Sequence, residues 1–176
     1  MRQKVVFGIF CSLCLLLSGS GQATTLNELK VGVRILDFMM APPRGKTPLA
    51  VIYDGENKAS VADAQTIQEW VNSGVSSVRA ELVPSLVDAH RLDEVPAFKI
   101  AIVASGTTQA LDKRILDYAL KNHALTISSD LSCLQAGKCV VGIASSPRVE
   151  VIINRSVASS YRVEFSEAFR MMVREY

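Results

Sequence analysis

Short, nearly unbroken apolar runs constrain this chain most. Residues 49–53 (Leu-Ala-Val-Ile-Tyr) are wholly apolar and sit between Pro48 and Asp54-Gly55; residues 98–104 and 124–128 repeat the pattern. Such runs read as strands buried on both faces, which happens where helices cover both sides of a sheet. Helical patterns lie between them. Ser60 with Asp63 caps a helix that turns Val61, Ala64, Ile67, Trp70 and Val71 inward and ends near Gly74. Thr107 or Thr108 opens another, with Leu111, Ile115, Tyr118 and Ala119 on one face. Residues 75–83 alternate as a further strand, followed by a short helix over 86–92. Strand and helix thus alternate with a period of roughly 35 residues, as parallel crossovers do. The fold class is α/β: a mostly parallel sheet flanked by helices, with right-handed crossovers.

The two ends depart from that rhythm. Thr25 and Glu28 form a capping box, and Leu29, Val33, Leu36 and Met40 give the first helix an apolar face. Pro42-Pro43 ends it, and 44–47 reads as a loop. After Asp130 a β-hairpin over 139–144 and 149–153 is expected, then short helices capped by Asn154 and Ser166. The last of these places Phe169, Met172 and Val173 together.

Before all this stands a segment of another kind. Arg2 and Lys4 precede an almost unbroken apolar run from Val5 to Leu17, then small and polar residues to Ala23. This is the pattern of a secretory signal peptide cut after Ala23. The run falls short of the ~20 residues a membrane-spanning helix needs. The expected division is therefore a signal peptide over 1–23 and one α/β domain over 24–176, exported and with no direct membrane insertion. Cleavage removes two basic residues and no acid, which cancels the formal charge of +2. A neutral chain has no general attraction to nucleic acid or anionic lipid.

The chemistry narrows by elimination. Gly45-Lys46-Thr47 has Met40 where a phosphate loop needs glycine, and it precedes a strand instead of following one. Neither His90 nor His123 has a second metal ligand at suitable spacing, and His123 suits a helix end. No serine has a plausible base beside it. The expectation is no catalytic residue, no cofactor and no metal: the protein is not an enzyme. Cys133 and Cys139 remain after cleavage. In an oxidising compartment so close a pair forms a disulfide, worth about 2.4 kcal/mol on the chain-entropy estimate. Two roles stay open for it, a structural staple and a redox-sensitive switch.

Several segments resemble the YfiR family of small secreted bacterial proteins. Ile153-Asn154, Ala158, Val163, Phe165, Ser166, Phe169, Met171 and Met172 follow that family's closing pattern without a gap. Leu125 to Asp130 resembles its strand end, and Leu29-Lys30 through Asp37-Phe38 with Pro42 resembles its opening helix. The chain departs from the pattern at Arg162, where a helix-ending glycine is typical, and in lacking a second cysteine pair. The resemblance implies a periplasmic repressor, often dimeric. It would bind the periplasmic domain of an inner-membrane diguanylate cyclase, limiting cyclic di-GMP signalling and biofilm formation.

Two surfaces are candidates for binding. Phe165, Phe169, Met172 and Tyr176 could present an apolar stripe to a partner, or the stripe could close the core. Alternatively, the protein is a small-ligand receptor whose cleft is lined by the loops at Asp54-Gly55, Ser105-Gly106 and Ser128-Ser129, at the carboxyl ends of the strands.

Overall fold

A computed structural model describes residues 22–145 and 147–176. The expected signal peptide lies outside the described residues except for Gln22 and Ala23, which are exposed. One seven-stranded sheet runs β2-β1-β3-β4-β5-β6-β7. Strands β1 (Gly45–Tyr53), β2 (Ala80–Asp88), β3 (Ile100–Val103), β4 (Leu125–Ser128) and β5 (Val141–Ala144) are mutually parallel. Strand β6 (Glu150–Ile153) returns antiparallel as the expected hairpin. The two-residue β7 (Arg174–Glu175) pairs parallel to β6.

The apolar runs do what their composition requires. Leu49 and Val51 join a core cluster with Ile67 and Val71 of α2 (Lys58–Asn72). Their neighbours Ala50 and Ile52 join a second cluster with Ile115 and Tyr118 of α3 (Asp112–Asn122). Alternate residues of one strand therefore feed two cores, as a doubly covered sheet demands. Helix α1 (Leu26–Arg34) carries the expected capping box: Glu28 N–H donates to Thr25 Oγ1 (3.2 Å) and Thr25 N–H to Glu28 Oε2 (2.7 Å). At Gly32 this helix comes so close to the sheet that a Cβ would lie 2.9 Å from Ile143 Cδ1.

Several expectations need correction. The first helix tightens to a 3₁₀ turn over Ile35–Phe38, and Met40 lies outside it, exposed. Residues 45–47 of the loop expected over 44–47 are already strand. Pro48 is tolerated because β3 pairs only with Ala50–Ile52, so β1 has one neighbour at that level. Strand β2 lies about half a strand later than expected and takes residues 86–88 of the helix read over 86–92; the rest of that helix is present as a 3₁₀ segment over Ala89–Glu94. Pro84 sits within β2, which it can do because β2 is an edge. Asn57, not Ser60, caps α2, accepting from Ala59 N–H (3.0 Å). An unforeseen helix α4 (Leu131–Gln135) is capped by Asp130. Helix α5 (Arg155–Tyr161) is capped by Asn154 and α6 (Glu167–Arg170) by Ser166, as read. Helix α6 is too short, however, to hold Met172 and Val173 on a face with Phe169.

Candidate functional site

In the order β2-β1-β3-β4-β5 the chain steps from β1 outward to β2, then returns to the other side of β1. Doubly wound sheets bind ligands at that reversal, beyond the carboxyl ends of the strands. Here the reversal falls between β1 and β3. The loops named from the sequence do converge on this edge, but they bond to one another.

Asp54, just after β1, is buried with 1% exposure. Its carboxylate accepts from Glu56 N–H (3.0 Å) and Thr108 N–H (3.3 Å), and meets His90 Nε2 at 3.2 Å. Burial pushes the Asp54 carboxyl up. The hydrogen bonds from Glu56, His90 and Thr108 together outweigh burial and leave it below the ordinary carboxylate value. Asp88, ending β2, accepts from His90 N–H (3.0 Å) and Gly55 N–H (3.3 Å). A Cβ on Gly55 would lie 2.4 Å from that carboxylate, so glycine is what lets the two loops meet. Asn57 donates from Nδ2 to Gly106 O (2.8 Å).

The next loops are tied by Asp63 of α2, the residue read from the sequence as part of a cap with Ser60. It accepts from Ser105 N–H (2.8 Å) and Oγ (3.0 Å), and from Thr24 N–H (2.7 Å) and Oγ1 (2.9 Å). Thr24 Oγ1 lies 2.8 Å from Ser129 Oγ, and Ser128 donates to Val103 O (2.7 Å). A cavity of about 10 Å³ remains beneath Thr24 and Ser129, enough for one water. The loops expected to line a receptor cleft at this edge are tied to one another by hydrogen bonds. His90 meets a carboxylate and no serine, and among the described residues no group of three acidic, histidine or cysteine side chains could hold a metal. Neither the Asp54–His90 contact nor the role of Asp63 was legible beforehand, because both join residues far apart in sequence.

The opposite, amino-terminal edge is open. A groove of about 480 Å³ is walled by Pro43, Pro48, Phe98 and Val163 and rimmed by Arg44, Lys99, His123 and Arg162, with no acid in its lining. Helices α3 and α5 end at this groove. Their carboxyl termini contribute roughly half a negative charge each. Lys99 answers one of them, donating from Nζ to Asn122 O (2.8 Å). Arg44 and Arg162 make no ion pair among the described residues, so the groove stays net cationic. His123 (φ 50) and Arg162 (φ 56) are also the non-glycine residues with left-handed backbone among those described. Arg162 therefore occupies, with a side chain, a conformation that glycine adopts more easily.

The predicted apolar stripe does not form as one face. Phe165 and Phe169 are buried, their rings 5.4 Å apart, and Phe169 stacks on Phe38 at 4.7 Å. Met172 and Tyr176 are exposed, at 69% and 60%. Met39 bridges to Phe165 and Met40 N–H donates to Glu164 O, which leaves the exposed Met40 beside residues 164–165; Met171 is exposed as well, next to Met172 in the chain.

Cys133 and Cys139 form a disulfide, their Cα atoms 5.3 Å apart. Both are buried in the second core cluster. The loop they close holds Lys138, 2% exposed, whose ammonium pairs with Asp112 at the start of α3 and donates to Thr107 Oγ1 (3.2 Å). Tyr161 sits over the same loop, its hydroxyl 3.4 Å from Gly137 O and from Lys138 O. Burial pushes its phenol well up, helped by Asp117.

No family model and no curated protein matches the chain. Solved structures do. One is a conserved domain protein from Vibrio cholerae O1 biovar El Tor, at 10% identity and a TM-score of 0.59, covering 87% of this chain and 60% of that one. Another is a substrate-binding protein with adhesive properties from Clostridium difficile, in its ligand-free, open form. It matches at 12% identity and a TM-score of 0.50, over 86% of this chain and 58% of that one. The chain spans about three fifths of the length of each. At such identities the likeness defines the class of fold alone, an α/β domain with a mostly parallel sheet. No helix among the described residues is long and apolar enough to cross a membrane.

Proposed function

We propose that this is a periplasmic regulatory binding protein that works through contact with another protein and not through turnover. The observation that carries this is the set of large apolar side chains left exposed in the closing segment, Met171, Met172 and Tyr176, with Met40 exposed beside Glu164 and Phe165. Methionine suits an adaptable protein-binding surface, and exposed apolar side chains are what such sites are built from. Phe165 and Phe169 are buried and hold the closing segment to the core. The resemblance to YfiR-like proteins supplies the partner class: the periplasmic domain of an inner-membrane diguanylate cyclase, held in a repressed state so that cyclic di-GMP signalling and biofilm formation fall. A dimer is expected from the same resemblance, and light scattering on the mature protein measures it.

The test is capture of a purified periplasmic sensor domain of such a cyclase, encoded in the same genome. Met172→Glu with Tyr176→Ser should weaken capture about tenfold or more, the loss of roughly 1.4 kcal/mol, with an unchanged melting temperature. Absence of capture with the disulfide both oxidised and reduced sinks the proposal.

A second reading, a receptor for small ligands, is favoured by the amino-edge groove. Its volume of about 480 Å³ falls among small-molecule sites, and cations over apolar walls suit an organic anion with an apolar body. The name of the Clostridium difficile neighbour is in keeping with that reading. The probe is 8-anilinonaphthalene-1-sulfonate, compared with the uncharged N-phenyl-1-naphthylamine. Preference for the sulfonate that is lost in Arg162→Gly supports the reading, and equal binding of both probes removes it.

A further inference from the structure

We infer that removal of the signal peptide creates a buried ion pair: the new α-ammonium of Thr24 docks against the carboxylate of Asp63. The inference rests on cleavage after Ala23 and is independent of the partner proposed above.

The site for the ammonium is already built. Thr24 is 7% exposed and Asp63 4%, whereas Gln22 and Ala23, immediately before, are exposed. The chain thus passes from solvent into a buried anchor at the expected cleavage point. Thr24 N lies 2.7 Å from Asp63 Oδ1, and Thr24 Oγ1 lies 2.9 Å from Oδ2. The other donors to Asp63 are Ser105 N–H and Oγ. All four are neutral in the unprocessed chain, and no lysine, arginine or histidine reaches Asp63 among the described residues. A buried carboxylate without a counter-cation is costly, and proteins normally supply one.

Cleavage supplies it. Water adds across the Ala23–Thr24 amide, leaving a carboxylate on Ala23 and an amine on Thr24. That amine binds a further proton at neutral pH, since α-amino groups titrate near about 7.7–8.0. One amide donor becomes an ammonium with three, at a position that needs no rearrangement. The surrounding groups favour the charge. Asp63 faces it from α2. Glu28 of α1, also buried, accepts from Thr25 N–H at 2.7 Å. The ends of β3 and β4 present only the uncharged Ser105 and Ser129. The processed terminus then clamps α2 to both strand ends, and the exported chain reaches its most stable form only after release from its leader.

The sign of the pH dependence follows. The ion pair raises the ammonium's folded pKa, so its contribution is complete below about pH 7.7 and is lost as pH rises through the folded value. The experiment compares three oxidised proteins: one exported and processed in cells, one starting at Ala23, and one starting at Thr24 but acetylated on its amine. Terminal sequencing of the first should read Thr-Thr-Leu. It should melt about 4 °C or more above the other two at pH 6.5, with the gap closing by pH 10 and absent in an Asp63→Asn background. Equal melting at pH 6.5, a gap unchanged at pH 10, or a natural terminus elsewhere overturns the inference. The acetylated protein keeps the test decisive if Asp63→Asn does not fold.

Discussion

The two ends of the parallel strands have opposite characters. At the carboxyl end, Asp54, Asp63, Asp88, Asn57 and the serines at the ends of β3 and β4 hydrogen-bond to neighbouring loops, and the cavity beneath Thr24 and Ser129 holds only about 10 Å³. At the amino end, Arg44 and Arg162 make no ion pair among the described residues and stand around an open groove. One edge therefore uses its polar groups for cohesion, and the other leaves charge free to meet something from outside. The comparison teaches that a topological switch point marks where a ligand could sit in this fold, while the side chains decide whether there is room.

The comparison can be broken most forcefully at Asp63. Asp63→Ala strips the acceptor from four buried donors and should cost about 3 kcal/mol in urea unfolding; a loss under about 1 kcal/mol would mean the carboxyl edge is not held together there. Next is the disulfide. The Cys133→Ser, Cys139→Ser pair should lose about 2.4 kcal/mol. Because both sulfurs are buried, native protein under mild reductant should give up no thiol to a labelling reagent until it opens locally. Rapid labelling would favour the redox switch over the staple.

Asp54 comes third. Its folded pKa is depressed, so its stabilisation is present above the ordinary value of 3.8 and lost as pH falls through the lower folded value. Asp54→Asn should cost about 1 kcal/mol at pH 7, with the gap from wild type closing only once pH has fallen below the ordinary value of 3.8. The smallest effect has the opposite sign. Arg162→Gly relieves about 1 kcal/mol of left-handed strain and gives back about half of that in unfolded-chain entropy, for a net gain near 0.5 kcal/mol. Greater stability with weaker sulfonate binding would show that the amino edge keeps Arg162 for its charge.

Much of the fold was readable because its signals are local. Buried strands announce themselves as apolar runs, and Thr25, Asn154 and Ser166 cap the helices that follow them. The misreadings have separate causes. Ser60 and Asp63 look like a cap from their spacing, but Asn57 reaches the helix start first. That leaves Ser60 to accept from Asp54 N–H at 3.1 Å and Asp63 to hold Thr24 and Ser105. Strand β2 was misplaced because an edge strand alternates weakly and holds Pro84, which reads as a break. The four-residue stripe failed because helix α6 ends before Met172, and so Phe169 and Met172 part company.

The sequence by itself determined the α/β class, the C-terminal hairpin and the cysteines at disulfide spacing, since each rests on neighbours within a turn or a strand. Only the tertiary structure decided that Asp54 meets His90, that Asp63 receives Thr24, that Lys138 is buried against Asp112, and that the open edge is the amino one. Those outcomes depend on residues tens of positions apart meeting in space. Composition and periodicity carry no record of such meetings, because a polar side chain looks the same in sequence whether water or a distant loop satisfies it.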